Sequence, residues 1–479
     1  MNTPCYSIRF ILDGQIVEED FKHRCPTTTV LQYLRSLAHH RATKEGCAEG
    51  DCGACTVVIA ELDESEKMVY QAYDSCLIFL PMLDGKQLIT VENLGRSTHL
   101  HPVQQAMVET GGSQCGYCTP GIVMSLFSLY KNSQHPSREV IKDALTGNLC
   151  RCTGYRPIIE AAAEACVQGG LDQFSQNEEI KGLLIKLKSE KQSLHIQTKK
   201  QQYYRPKSLQ EALRLKDQYR EALLLCGATD LALRVTKKKE LLEQIIDLSA
   251  LEVSGKIEVF DKYYHIDAWL SLEKIKIFSR DRLPALYDML SVFGSLQIRN
   301  LATLGGNLGS ASPIGDMPPV LMAYDATVGL ESVEGKRTFS VRDFITGYRQ
   351  TQLKPNEVIT YVRIPKLSAH TQIKAYKISR RKDLDISTVS AGFRLDLDSS
   401  NRVKKIALIY GGMAAMTQSA AHAEEYLLGK SWTRAVVMKA MPLIDEAFTP
   451  ISDARANVAG RQVMARNLLL KFWVDTQKK

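Results

Sequence analysis

Eight of the twelve cysteines in this 479-residue chain stand in two tight groups within its first third. In KEGCAEGDCGACTVVIA, Cys47, Cys52 and Cys55 follow one another as C-x4-C-x2-C, and Cys76 returns after twenty intervening residues. Three thiolates on one short loop with a fourth arriving from elsewhere can surround two irons, whereas tetrahedral zinc sites usually combine two C-x2-C-like knuckles. The second group joins Cys115 and Cys118 of SQCGYCTPG to Cys150 and Cys152 of LCRC, a C-x2-C followed after 31 residues by C-x-C. Taken alone that spacing leaves zinc open; beside the first group it reads as a second two-iron cluster. One such cluster passes one electron at a time, so two in series describe a relay between a two-electron donor and a two-electron acceptor.

The elements around these thiols follow from local pattern. The first spacing is that of plant-type [2Fe-2S] ferredoxins. The stretch from Tyr6 to Val91 opens on strand-like alternation, YSIRFILDG, followed by a helix expected over Thr29 to His39. Gly46, Gly50 and Gly53 let the backbone turn around the cluster and aim N–H groups at its sulfurs. From His101 the pattern turns helical: Pro102 to Thr110, a helix opened by Pro120, Glu139 to Leu145 stopped by Gly147, and a last helix near Pro157. The second four thiols therefore sit in loops at helix ends, where N-terminal dipoles stabilise negative charge.

After Cys166 the low apolar content of residues 168–202 predicts a linker free to wander, despite the short helical patch IKGLLIKLKS. Beyond it, EALLLCGATDLALRVTKK reads as strand, glycine turn and helix, and Gly227, Ala228, Thr229 and Asp230 would offer N–H groups and a hydroxyl to an anion such as a pyrophosphate. The G-x-G-x-x-G fingerprint is missing, so a plain capped turn remains the alternative. QIRNLATLGGNLGSASPIGDMPP places Thr303, Gly305, Gly306, Asn307 and Gly309 in one compact loop ahead of Asp316. Glycine at that density costs backbone entropy, which argues for close approach of a ligand. Two anion-suited loops in one module suit a dinucleotide, and a flavin is the natural converter between paired and single electrons. Residues 370–479 predict a three-stranded sheet with helices near Thr417 to Leu428, Ser431 to Met438 and Val458 to Thr476, covering one side of the flavin module. The charged run SRRKDLDIS between the first two of these strands suits either a solvated turn or a loop touching the flavin or an incoming nicotinamide.

Composition bounds the rest. The chain is too long for one core and should divide into three or four domains. A net charge of +8 is spread over helices that also carry glutamates, which argues against nucleic-acid binding. No secretory signal pattern and no apolar run of spanning length occur, and clustered C-x2-C units suit metal ligation in a reducing compartment, so a cytoplasmic protein without a membrane segment is expected. Cys5, Cys25, Cys166 and Cys226 stand alone and read as buried thiols.

KEGCAEGDCGACTV, SQCGYCTPG, TGNLCRCTGY, QIRNLATLGGN…ASPIGD, SRRKDLDIS and IYGGMA resemble, in the same order, the iron-sulfur and flavin portions of xanthine dehydrogenases of the molybdenum hydroxylase family, and most resemble the small subunit of the bacterial two-subunit type. The resemblance implies a multidomain α+β chain: a β-grasp plant-type [2Fe-2S] domain over residues 1–90, a helical-bundle [2Fe-2S] domain over 91–167, the linker 168–202, a two-part α+β FAD-binding domain over 203–368, and an α+β domain over 369–479. It implies that xanthine or hypoxanthine is hydroxylated at molybdenum in a separate large molybdopterin-containing subunit, in a heterotetramer of two small and two large chains, so no hydroxylating residue is expected here. Electrons would pass through the Cys115/Cys118/Cys150/Cys152 cluster, the Cys47/Cys52/Cys55/Cys76 cluster and FAD to NAD.

The family's pyrophosphate turn matches Leu224, Leu225, Cys226, Gly227, Ala228, Thr229, Asp230 and Leu231. Its second FAD loop matches Thr303, Gly305, Gly306 and Asn307 with Asp316; its flavin-side aromatic matches Phe293, its flavin-proximal lysine Lys377, and a glutamine reaching toward molybdenum Gln114. Two departures stand out: Asp51 where the animal enzymes have glycine, and Lys382 where the family's RRE-D-DI run has an acid. Rival expectations are the corresponding chain of a hydroxylase acting on aldehydes or N-heterocycles, a stand-alone NADH diaphorase with a closed polar surface around Gln114 and Tyr117, and a non-catalytic accessory protein with damaged sites.

Overall fold

Burial along SIRFIL sets the first strand: Ile8 and Phe10 are buried beside the partly open Ser7 and Arg9, the period-two pattern of a strand, while Ile11 and Leu12 are buried as well, so its far end is covered on both faces. In the computed structural model, which describes residues 6–96, 98–167, 171–175, 177–251 and 255–477, this strand β1 (Ser7–Leu12) turns through Asp13 and Gly14, both at positive φ, into β2 (Gln15–Asp20). Two such residues in a row match the twist of the hairpin. With β3 (Thr56–Leu62), β4 (Met68–Asp74) and β5 (Gln87–Ile89) they form a sheet of order β2-β1-β5-β3-β4, in which β1 and β5 run parallel and the other pairs antiparallel. The helix Val30–Ser36 lies on one face, started by a capping box between Thr29 and Gln32. This is the β-grasp arrangement expected.

The chain divides into two compact units, residues 1–212, 221–252 and 295–302 in one, and residues 213–220, 253–294 and 303–479 in the other. In the first unit, the helices Pro102–Glu109, Thr119–Asn132, Arg138–Leu145 and Arg156–Val167 cover the other face of the sheet. Val58, Ala60 and Ile89 of the sheet share a core with Val103, Ile122, Phe127, Ile158 and Ala161. Helix Thr119–Asn132 is buried on every side from Gly121 to Tyr130, as its run of uncharged residues requires.

The expected linker is largely ordered. Residues 178–190 form the helix Glu178–Glu190, whose Ile180, Leu184 and Leu187 pack on Ile11, and Arg9 meets Glu190 at 2.8 Å. The apolar residues fall at i, i+4 and i+7, a stripe that the average composition of the segment conceals. Strand β6 (Leu194–Gln197) pairs with β7 (Gln202–Arg205), and these join β9 (Gln244–Asp247) and the intervening β8 (Leu223–Leu225) in the order β6-β7-β9-β8.

Among the described residues, the second unit holds two larger sheets and a two-stranded pair. The strands β10 (Ile257–Val259), β11 (Tyr263–Asp267), β12 (Thr327–Ser332) and β13 (Gly335–Ser340) join β16 (Val358–Pro365) in the order β10-β11-β16-β12-β13, while β14 (Ile345–Gly347) and β15 (Gln350–Thr351) form a separate pair. The second sheet has four strands rather than three, because the short β20 (Gln418–Ser419) extends β17 (Gln372–Ile378), β18 (Val389–Leu397) and β19 (Val403–Gly411). Its helices run Ala421–Leu427, Arg434–Ala447 and Val458–Asp475, the middle one starting three residues later and ending nine later than expected. The wholly buried helix Met317–Ala323 lies under β18, so close that a Cβ on Gly392 would stand 2.2 Å from the Pro319 carbonyl oxygen.

Of the four isolated cysteines, Cys166 is buried, and burial pushes its thiol up to about 11. Cys226 is half-buried, Cys25 is exposed, and Cys5 lies outside the described residues. The expectation of buried thiols fails at Cys25 because it falls in the loop between β2 and the first helix, where no neighbour in the sequence pattern encodes cover.

Candidate iron-sulfur and flavin sites

The first thiol set lies in the first unit on the loop that precedes β3, with Cys76 following β4. Cys55 and Cys76 are buried, Cys47 and Cys52 half-buried. The backbone turns inward through Ala48, Gly50 and Gly53, all at positive φ, and brings N–H groups to sulfur. Glu49 and Asp51 donate to Cys47 Sγ at 3.4 and 3.3 Å, and Cys47 donates to Cys52 Sγ at 3.3 Å. The Cys52 thiol and these amide donors draw the Cys47 thiol down to about 5 against the opposing effect of burial.

The thiols associate two by two. Cys47 has Cys52 as its neighbouring thiol, and Cys55 has Cys76. In the second set Cys115 neighbours Cys152, and Cys118 neighbours Cys150. Among the described residues, no group of three or more Cys, His, Asp or Glu side chains is disposed to hold a metal ion. The second set stands at helix ends as expected: Cys118 caps Thr119–Asn132, and Cys150 and Cys152 lie between Arg138–Leu145 and Arg156–Val167. Cys115 and Cys152 are exposed, as are Gln114 and Tyr117 beside them.

Several neighbours carried no signal in the sequence. Asp74 is fully buried at 3.7 Å from Cys55 Sγ, with its carboxyl pushed well up by burial. Tyr155 accepts the Cys150 N–H on its hydroxyl at 2.8 Å, and Lys237 donates to the Cys47 carbonyl at 3.0 Å while meeting Glu49 at 3.2 Å. Lys237 is 190 positions from Cys47, so no local pattern could reveal it.

The residues expected around FAD are divided between the units. Leu224 to Leu231 belong to the first; Phe293, Thr303, Gly305, Gly306, Asn307, Asp316 and Lys377 belong to the second. In the first unit the turn after β8 puts Ala228 at φ 61° and presses Gly227 onto the Leu301 carbonyl, where a Cβ would come within 1.7 Å of the oxygen. In the second unit the expected glycine loop is instead the short helix Leu304–Gly309, capped by Thr303, whose hydroxyl accepts the Gly306 N–H at 3.1 Å. The sequence pattern concealed it because glycine is a poor helix former. Asn307 Oδ1 is buried and, among the described residues, has no hydrogen-bond partner. Lys377 Nζ is bonded to Asp316 Oδ2 at 2.9 Å, Ser387 donates to the other carboxylate oxygen, and the ammonium lies 5.9 Å from the Phe293 ring centre.

Within the SRRKDLDIS run Arg381 N–H donates to Asp385 at 3.0 Å, Ser379 to the Arg381 carbonyl at 2.6 Å, and Leu384 takes φ 55°, while Arg380 donates to the Ala454 carbonyl and Ser387 to Asp316. Arg380, Arg381 and Lys382 are partly or fully exposed on it.

Four family models match in sequence: a 2Fe-2S iron-sulfur cluster binding domain over residues 10–80, a [2Fe-2S] binding domain over 90–163, an FAD binding domain in molybdopterin dehydrogenase over 197–367, and a CO dehydrogenase flavoprotein C-terminal domain over 374–476. The chain is 35% identical to the xanthine dehydrogenase of Emericella nidulans, across 98% of this chain and 38% of that protein. It is 31% identical to the xanthine dehydrogenase/oxidase of Gallus gallus, across 98% of this chain and 40% of that one. It thus spans about two fifths of the length of these relatives.

Among solved structures, a chain of the carbon monoxide dehydrogenase of Hydrogenophaga pseudoflava, in a form lacking the Mo-pyranopterin moiety of its cofactor, aligns with TM-score 0.54 and 27% identity over 56% of this chain and 94% of that one. A chain of the quinoline 2-oxidoreductase of Pseudomonas putida 86 shares the fold with TM-score 0.53 and 24% identity, over 57% of this chain and 95% of that one.

The chain is therefore an iron-sulfur flavoprotein with two [2Fe-2S]-binding domains and an FAD-binding domain. It belongs to the molybdenum hydroxylases, of which it is the iron-sulfur and FAD electron-transfer portion. No helix among the described residues is long and apolar enough to cross a membrane.

Proposed function

We propose that this chain carries electrons from xanthine or hypoxanthine, hydroxylated at a molybdenum centre in a partner subunit, to NAD. The observation that carries the reading is the pair of complete four-cysteine sets in one unit. Cys47, Cys52, Cys55 and Cys76 would hold one two-iron cluster and Cys115, Cys118, Cys150 and Cys152 the other, which would supply one-electron transfer. The low-lying Cys47 thiol and the amide N–H groups aimed at its sulfur suit a ligand that must stay deprotonated and share negative charge.

Bound FAD would accept electrons singly from the clusters and give them up in pairs. In the second unit the orphaned Asn307 Oδ1 is an acceptor left for such a ligand, and the bonded Lys377, Asp316 and Ser387 hold an ammonium beside Phe293. In the first unit the tightly seated turn from Leu224 to Leu231 supplies the loop assigned to the pyrophosphate. Exposure of Cys115 and Cys152 with Gln114 and Tyr117 suits entry of electrons from a large molybdopterin-containing subunit in a cytoplasmic heterotetramer.

Relatives named xanthine dehydrogenase align along nearly the whole chain, which favours the purine. A second reading, a hydroxylase of another substrate such as an N-heterocycle, draws on the solved relatives named for carbon monoxide and quinoline. Anaerobic reduction of the native complex separates them. Bleaching of cluster and flavin absorbance by xanthine and, separately, by NADH is expected; bleaching by NADH alone, with an intact molybdenum partner present, would transfer the substrate assignment to the second reading.

A further inference from the structure

The charged run SRRKDLDIS ends beside a buried arginine of the second unit. Ser387 donates to Asp316, which also holds Lys377, while the carbonyl of the next residue, Thr388, accepts from Arg461. Arg461 stands in the first turn of helix Val458–Asp475 and is 2% exposed. Enclosing a guanidinium is costly unless hydrogen bonds replace its water. Its Nη1 donates to the carbonyls of Thr388 and of Gly412, the second at 2.9 Å, and its Nη2 donates to Asp453 Oδ1 at 2.8 Å. Gly412, at φ +78°, permits that approach, since a Cβ there would lie 2.6 Å from the Thr388 carbonyl oxygen and 3.4 Å from Nη1.

The two carbonyls belong to the segments that carry the Lys377, Asp316 and Ser387 group. Thr388 follows Ser387 in the chain, and its N–H donates at 2.7 Å to the carbonyl of Ile378, the residue after Lys377. The Gly412 N–H donates at 2.8 Å to the carbonyl of Pro313, in the segment that leads into Asp316. One guanidinium is thus bonded, directly or through one further backbone bond, to the stretches from which all three side chains project. The loop before its helix braces it in turn. Asp453 Oδ1 also accepts the N–H groups of Arg455 at 2.8 Å and Ala456 at 3.2 Å, and Arg380, at the other end of the charged run, donates to the Ala454 carbonyl. Residues 453–461 therefore hold the run at both ends.

We propose that Arg461 is a positioning residue for flavin binding in the second unit, holding Ser387 and Asp316 in register with Lys377 through the Thr388 and Gly412 carbonyls. The inference rests on the reading of Lys377, Asp316 and Ser387 as the group beside the flavin. Among the described residues, the hydrogen bonds of Arg461 go to none of these three side chains, so it acts on them through backbone alone. Hydrogen bonds weaken steeply as their angles degrade, and a displaced Thr388 or Gly412 peptide would carry Ser387 or Asp316 with it. A planar guanidinium meets two carbonyls and a carboxylate at once, whereas an ammonium is a single point that cannot span them.

The test titrates FAD into the flavin-depleted full chain with both clusters in place and reads the dissociation constant from quenching of flavin fluorescence. Arg461→Lys keeps the charge and should weaken FAD binding about tenfold. Ser387→Ala should weaken it by a comparable factor, and the chain with both changes by no more than the larger single change, because both act on one contact. An arginine that merely stabilised the fold would lower the unfolding temperature and leave the two factors independent. Multiplication of the factors, or parental affinity in Arg461→Lys or in Ser387→Ala, overturns the proposal. Should Arg461→Lys fail to fold, Asp453→Asn takes its place, since Asp453 lies at the exposed end of the brace. A loss of about threefold that does not multiply with that of Ser387→Ala supports the proposal, and parental affinity or a multiplied loss overturns it. Parental affinity in both Asn307→Ala and Lys377→Ala would instead sink the flavin assignment beneath it.

Discussion

The two cysteine regions are built on opposite plans. Around the first, Cys55 and Cys76 are buried between strands and the backbone curls inward through three left-handed residues, with amide groups turned onto sulfur. Around the second, two of the four thiols are exposed and the loops hang from helix ends. A buried site is insulated and its properties are set by its own chain. An open one leaves room for another molecule to approach within reach of its thiols.

Glycine replacements should break the comparison most visibly. At Gly53 a valine would combine left-handed backbone strain with collision against Gly147 and Asn148, and should destabilise the first site by about 3 kcal/mol. At Gly116, also left-handed but with nothing within 4 Å of its Cβ position, alanine should cost only about 1 kcal/mol. Urea midpoints for loss of each cluster's visible circular dichroism read both effects; equal sensitivity of the two positions would erase the distinction.

A smaller difference is expected between ligands. Cys55→Ser should lose the first cluster and also reduce the yield of folded chain, because it alters a buried contact with Asp74. Cys152→Ser should lose only the second cluster, leaving iron at the first site, bound FAD and its reduction by NADH. Iron content, flavin content and stopped-flow reduction check this, and failure of flavin reduction in a Cys152→Ser chain that retains FAD would contradict the assigned order.

The smallest effect is electrostatic. Lys237→Ala removes a half-exposed ammonium bonded to the Cys47 carbonyl and should lower the first cluster's potential by roughly 20 mV, equivalent to about 0.5 kcal/mol, without moving the second. Redox titration of the two resonance signals measures both, and an equal shift at the two clusters would show that the charge acts through the general field rather than at the first loop.

Much of this was legible in advance wherever the signal was local. The C-x4-C-x2-C spacing, the helix expected from Thr29 and the helix opened by Pro120 are each written within a few residues, and they marked the thiol sets and the elements that carry them. Signals that averaged out were misread. The stripe of Ile180, Leu184 and Leu187 disappeared in a polar segment, and the glycines from 305 to 309 suggested a loop where Thr303 caps a helix.

The sequence by itself determined the donors, their spacing and the order of domains, because ligand type and local backbone geometry are properties of short segments. Tertiary structure alone decided that Asn148 binds Gly53 and Gln297, that Lys237 reaches Cys47, and which thiols are open to solvent. Those contacts join residues from roughly a hundred to nearly two hundred positions apart, and the burial that strengthens them exists only once separate segments have excluded water together.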